Sequence, residues 1–126
     1  MTRSGGVPWW EPLALEAPRA GALEPGAMRI IAKRPLREFW EQPAHRDAEA
    51  PLKTWYSEVH HAAWRTPADV KAHYGSASIL PHDRVVFNIG GNKYRLIVLI
   101  RYDTQMVFIR FIGTHAAYDR IQAETI

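Results

Sequence analysis

Lys93, Arg95 and Arg110 fall in one short stretch that runs on into His115 and Tyr118. Together these side-chain types can cut a phosphodiester in RNA. Such a reaction needs the ribose 2′-hydroxyl activated, the phosphorane charge stabilised and the leaving 5′-oxygen protonated. Guanidinium and ammonium groups suit the second task because their charge is already aimed at the oxygens, and imidazole or phenol can carry the protons. Asn88, Arg84 and Arg101 lie in the same stretch and could extend a grip on a phosphate backbone. A solvated basic face has the same composition, so spacing alone leaves both readings open. His60-His61 looks like a metal pair, yet adjacent helical positions diverge by about 100° and share no face; no metal site is expected.

For the cations to act together, strands must bring them to one surface. Val85-Val86-Phe87 runs into Gly90-Gly91, and Tyr94 to Ile100 follows. Diglycine supplies the positive φ angles of a tight hairpin. A second turn at Asp103-Thr104 leads to Val107 through Ile112, completing a three-stranded antiparallel meander. Gly113 and Thr114 end it, with Thr114 placed to cap a short helix from His115 to about Gln122. With Gly90-Gly91 at the tip, Ile89 pairs with Asn92, Asn88 with Lys93 and Val86 with Arg95. With Asp103-Thr104 centred, Tyr102 pairs with Gln105, Ile97 with Arg110 and Arg95 with Ile112. One face then carries Asn88, Lys93, Arg95 and Arg110, with Arg84 and Arg101 toward its edges. The other carries Phe87, Tyr94, Leu96, Val98, Ile100, Val107, Ile109 and Phe111 and should lie under helices. The basic face also holds Ile97, Leu99 and Phe108, so part of it must be covered or concave. A one-residue slip in the second hairpin would bury Arg110 among apolar side chains, which is costly.

Upstream, Met28 to Ala32 reads as an edge strand. Pro35 opens a helix carrying Leu36, Phe39 and Trp40 up to Pro43. A second helix begins near Asp47 and turns Leu52, Trp55, Val59 and Ala62 toward a core. Thr66 and Pro67 break the pattern, leaving Asp69, Val70, Lys71 and His73 in a loop or a single turn. Strand, two helices, meander and helix make a two-layer α+β fold.

Residues 1–27 alternate prolines and glycines, and Trp9-Trp10 is their one feature able to dock. They read as a flexible leader or a start placed too early, with Met28 as the first residue; the alternative is a segment covering part of the domain. The domain is then 28–126. Its net charge is +4 against −1 for residues 1–27, which suits a nucleic-acid partner. There is no cysteine in the 126 residues, which suits a reducing compartment. No run approaches the roughly 18 apolar residues of a membrane span, and no secretory core follows Arg3. The expected location is cytoplasmic.

The block Val86-Phe87-Asn88-Ile89-Gly90-Gly91-Asn92-Lys93-Tyr94-Arg95-Leu96 resembles the signature of HigB-type toxins, a branch of the RelE/ParE superfamily. So does Phe108-Ile109-Arg110-Phe111-Ile112-Gly113-Thr114-His115-Ala116-Ala117-Tyr118-Asp119. The resemblance covers Met28 to about Asp119. It implies a RelE-like two-layer α+β fold, with an N-terminal strand and two helices packed on the antiparallel meander and a short C-terminal helix. It implies cleavage of messenger RNA in the ribosomal A site, without a metal or other cofactor. It implies neutralisation by a HigA-type helix-turn-helix antitoxin, through which the pair meets operator DNA. Arg95 and Arg110 become candidates for holding the scissile phosphate, with Lys93 assisting, and His115 and Tyr118 for proton transfer. Each has a rival reading. His115 could support the Thr114 cap, Tyr118 could pack its ring on the sheet, and Asn88 and Asn92 could shape the hairpin. The same fold could also serve a non-catalytic contact toxin of the gyrase-poison kind. A plain RNA-binding module ranks lower, since the sheet lacks exposed aromatic pairs for stacking bases.

Overall fold

A computed structural model describes residues 28–126; the leader reading of residues 1–27, Trp9-Trp10 included, lies outside the described residues. The chain runs β1 (Arg29–Ile31), α1 (Arg34–Trp40), α2 (Glu49–His60), α3 (Pro67–His73), β2 (Ser78–Ile79), β3 (Arg84–Ile89), β4 (Tyr94–Arg101), β5 (Met106–Thr114) and α4 (His115–Tyr118). The sheet order is β1-β5-β4-β3-β2, with β1 parallel to β5 and the other pairs antiparallel. Strand β1 is thus the edge strand its sequence suggests, and the meander forms the middle of the sheet.

Helix α1 starts with a proline in its first turn, where a missing N–H costs nothing, and buries Leu36, Phe39 and Trp40. A 3₁₀ turn, Pro43–Ala48, kinks at His45 before α2 takes over. Leu52, Trp55 and Val59 of α2 are buried at helical spacing against Phe87, Leu96 and Val98 of the sheet. Fully burying each such side chain is worth about 1.5–3 kcal/mol.

Residues 67–73 form a helix, where the sequence reading has a loop or single turn. The signal is local. The Thr66 hydroxyl accepts from the Asp69 N–H, and the Asp69 carboxylate accepts from the Thr66 N–H, both at 3.3 Å. This reciprocal cap, with Pro67 following, offsets the nucleation cost of a short helix, and Val70 is fully buried beneath it.

The first hairpin differs from its expected register by two residues. Asn88 pairs with Arg95 and Ile89 with Tyr94, because the turn takes four residues, 90–93, closed by the Lys93 N–H on the Gly90 carbonyl at 3.3 Å. Gly90 and Gly91 both hold positive φ, 63° and 70°, which glycine adopts without penalty. A shift of two preserves the faces, so Arg95 and Asn88 stay opposite the helices.

The second hairpin keeps its expected register from Arg101↔Met106 to Val98↔Ile109, then a β-bulge intervenes and Ile97 pairs with Phe111. Arg110 is the extra residue. A bulge adds one residue to one strand and exchanges the faces beyond it. Phe111 therefore leaves the helix-covered face assigned to it, and Ile112 packs against the core instead. The strand also runs on through Gly113 and Thr114. Gly113, buried opposite Arg95, lies under the Phe111 ring: a Cβ there would stand 2.6 Å from Phe111 Cζ.

Candidate nucleic-acid interface

The sheet face turned from the helices carries two groups of basic residues, and they are held differently. At the hairpin tip, the Arg95 guanidinium donates through Nη1 to the carbonyls of Asn92 at 3.0 Å and Tyr94 at 3.3 Å. Its central carbon stands 6.0 Å from the centroid of the Tyr118 ring, within cation–π range. Tyr118 is the last residue of α4, whose first residue is His115. The Thr114 hydroxyl caps this helix by accepting from the Ala117 N–H at 3.1 Å. The His115 N–H donates to the Lys93 carbonyl at 3.3 Å, so the hairpin tip and α4 are joined by backbone. The His115 side chain is exposed. The fold thus brings Arg95 and Tyr118 together, with His115 at the first position of the helix that carries Tyr118. Asn88 is cross-strand to Arg95, and its amide donates at 3.4 Å to the Ser76 carbonyl.

Lys93 does not stand on this face, contrary to the two-residue turn from which its placement follows. Displaced into the longer turn, its ammonium reaches the helix layer and pairs with Asp47 of the 3₁₀ turn. Asp47 also accepts from the Tyr94 hydroxyl. The Lys93 hydrogen bond, then that of Tyr94, holds the Asp47 carboxyl below the usual carboxylate range. The same bond to Asp47 holds Lys93 above the usual lysine value. Burial, then the Asp47 bond, pushes the Tyr94 phenol up.

Arg84 and Arg110 make the second group. Arg84 Nη2 donates to a main-chain oxygen of Ile126 at 2.8 Å, and Arg110 Nε donates to the same oxygen at 3.2 Å. Residues 119–126 therefore return across this face from the end of α4. Val86 and Ile97, on the side away from α1 and α2, are buried all the same, so this face is covered in part, as its apolar residues required. Arg101 stands apart. It pairs with Asp83 at 3.7 Å and lies six strand positions, about 20 Å, from Arg95.

Sequence reasoning assigned no role to Asp47 beyond starting a helix, and none to residues 123–126. Asp47 meets its partners across 46 and 47 positions, a distance no local periodicity spans. Chemically, the tip group offers a held cation against a phenol, with an imidazole on the same short helix, groups that transesterification of a phosphodiester can use. Among the described residues no three His, Asp or Glu side chains gather to hold a metal. No helix there is long and apolar enough to cross a membrane.

Residues 48–121 match a protein family described as HigB_toxin, RelE-like toxic component of a toxin-antitoxin system. Over 95 residues the chain is 26% identical to the mRNA interferase toxin HigB of Escherichia coli (strain K12), covering 73% of this chain and 88% of that protein. It is 27% identical over 96 residues to the mRNA interferase HigB of Escherichia coli O6:H1, covering 75% and 91%.

Proposed function

Since the chain belongs to the HigB toxin family, the RelE-like toxic components of toxin–antitoxin systems, we propose that it is an mRNA interferase that halts translation by cutting messages on the ribosome. The observation that carries this reading is the Arg95 guanidinium set against the Tyr118 ring, with His115 on the same short helix. In the reaction, the ribose 2′-oxygen attacks phosphorus and the bond to the 5′-oxygen breaks. One of His115 and Tyr118 takes the 2′-proton and the other supplies a proton to the leaving oxygen. Arg95 stabilises the charge gathering on the phosphorane. The protein's own cations answer the charge demand, so the reaction is read as metal-independent.

Arg84 and Arg110 flank the path that the RNA backbone takes away from this point, with Asn88 beside it; Lys93 and Arg101, each paired to a carboxylate, contribute charge at longer range. Residues 28–126 are the toxin domain of a cytoplasmic protein. A HigA-type helix-turn-helix antitoxin holds it inactive, and operator DNA is met only through that partner.

The test is induced expression of the whole chain in bacteria beside Arg95→Ala and Tyr118→Phe, with RNA 5′-ends mapped after induction. Growth arrest with new cuts inside translated messages, lost in Arg95→Ala, is expected. Arrest without cuts would overturn the nuclease reading in favour of a contact poison of the gyrase-inhibiting kind.

A further inference from the structure

Asp47 lies in the helix layer, yet both its carboxylate oxygens are taken by the sheet: Oδ2 by the Lys93 ammonium and Oδ1 by the Tyr94 hydroxyl. Lys93 and Tyr94 are neighbours in sequence, so the carboxylate grips the base of the β3–β4 tip at two successive residues. The tip needs such a grip. It turns through Gly90 and Gly91, both at positive φ, and nothing lies within 4 Å of where a Cβ on Gly91 would stand. A diglycine turn with open space on one side is free to hinge unless something outside it holds it.

What the tip carries is the reacting group. The Lys93 carbonyl receives the first N–H of α4, that of His115. Tyr94 pairs with Thr114, the cap of that helix. The next residue is Arg95, whose guanidinium is held by the Asn92 and Tyr94 carbonyls beside Tyr118. Packing and a polar bond act together on this position, for Tyr94 is buried as well as hydrogen-bonded. The Tyr94 ring meets Phe39 and His45 edge-on, with centroids 5.2 and 5.7 Å away. To these contacts the hydrogen bond from the hydroxyl to Asp47 adds a directional restraint that fixes the reach of the ring.

We propose that Asp47 is a positioning residue for RNA cleavage: by clamping Lys93 and Tyr94 to the helix layer it sets where Arg95, His115 and Tyr118 stand relative to one another. It touches no substrate and acts through the hairpin tip. The proposal rests on the ribonuclease reading above, and its test separates the two.

The experiment uses the full chain, comparing Asp47→Asn, Tyr94→Phe and Arg95→Ala with wild type for kcat and KM on one translated message, with thermal melting in parallel. Asp47→Asn keeps the shape and removes the charge. It is expected to lower kcat about tenfold or more, since misplacement near 1 Å can cost about a hundredfold, while KM stays within about twofold. Wild-type kcat in folded Asp47→Asn would overturn the proposal, as would a fall in kcat matched by the fall in folded fraction. If Asp47→Asn folds poorly, Tyr94→Phe removes one hydroxyl from the same grip with the ring kept. Its kcat should fall about threefold or more at unchanged KM, and wild-type kcat there would equally overturn the proposal. If the wild type cuts no RNA, the ribonuclease reading falls and takes this proposal with it; if Arg95→Ala cuts as well as wild type, the ribonuclease reading stands and the role of Arg95, with this proposal, falls. If Arg95→Ala alone is inactive, only the positioning proposal falls.

Discussion

Arg84 on β3 and Arg110 on β5 reach in from either side of β4 and donate to one main-chain oxygen of Ile126, at 2.8 and 3.2 Å. The segment they hold lies over the central strand. Ile97 is 0% exposed although it points away from α1 and α2. This face is therefore a second, smaller apolar layer with cations at its rim.

Truncating Ile97 measures that layer. Ile97→Ala should cost about 2–4 kcal/mol, the range for a buried aliphatic side chain whose cavity cannot fully collapse. Urea unfolding checks it. A cost below about 1 kcal/mol would mean that water already reaches the site.

Arg110→Ala removes one of the two donors to the main-chain oxygen of Ile126. A hydrogen bond at an exposed position contributes about 0.5–1.5 kcal/mol net, so global stability should fall only slightly. Amide exchange over residues 119–126 should quicken well beyond that of β3 and β4. Hydrogen-exchange mass spectrometry of the two proteins reads the difference.

The separation of Arg95 from Arg101 has its own signature. Against a 2′-deoxy oligonucleotide, which cannot be cut by 2′-attack, Arg95→Ala should lower the slope of log affinity against log salt by about 0.7, one phosphate's worth on a single strand. Arg101→Ala should lower it less, since Asp83 already pairs with that guanidinium. Fluorescence anisotropy across a salt series gives both slopes.

Acid should loosen the Asp47 grip. The folded-state pKa of Asp47 is depressed, chiefly by the Lys93 hydrogen bond. Its contribution is therefore present above the unfolded value of about 3.9 and is lost as pH falls through the lower folded value. Lys93 is shifted upward by the same bond, so its share is present below about 10.4 and is lost as pH rises through the folded value. The stability difference between wild type and Asp47→Asn should be widest from about pH 5 to 10 and narrow toward pH 2 and beyond pH 11. Both side chains are half-exposed or more, so salt should narrow it too. Urea midpoints across that range provide the check.

Much of this was legible from residue types alone, for reasons the structure makes plain. Leu52, Trp55 and Val59 are all buried on α2, because an amphipathic stripe depends only on helical spacing; Ala62 is buried too, two residues past the end of that helix. The second hairpin follows its expected pairing as far as Val98↔Ile109, because moving Arg110 into the apolar face is too costly. The bulge beyond that point was not legible. It exchanges Phe111 for Ile112 at the core, a choice decided by the fit of both faces at once. The turn at Gly90-Gly91 was identifiable, but its four-residue length was not, since Lys93 is drawn away by a carboxylate 46 positions distant. The helix at Pro67–His73 was within reach, as Thr66 and Asp69 stand at capping-box spacing. Arg95 and Tyr118 come together because the meander and its capped helix are local in sequence.

The bond from Arg84 to Ile126 joins residues 42 positions apart. Synthesis at about 5–20 residues per second places roughly 2–8 s between their additions to the chain. Every nascent copy thus carries Arg84 and Arg110 with their common acceptor not yet made. The return of residues 119–126 over the sheet is accordingly a timed step, one that synthesis must reach residue 126 to permit.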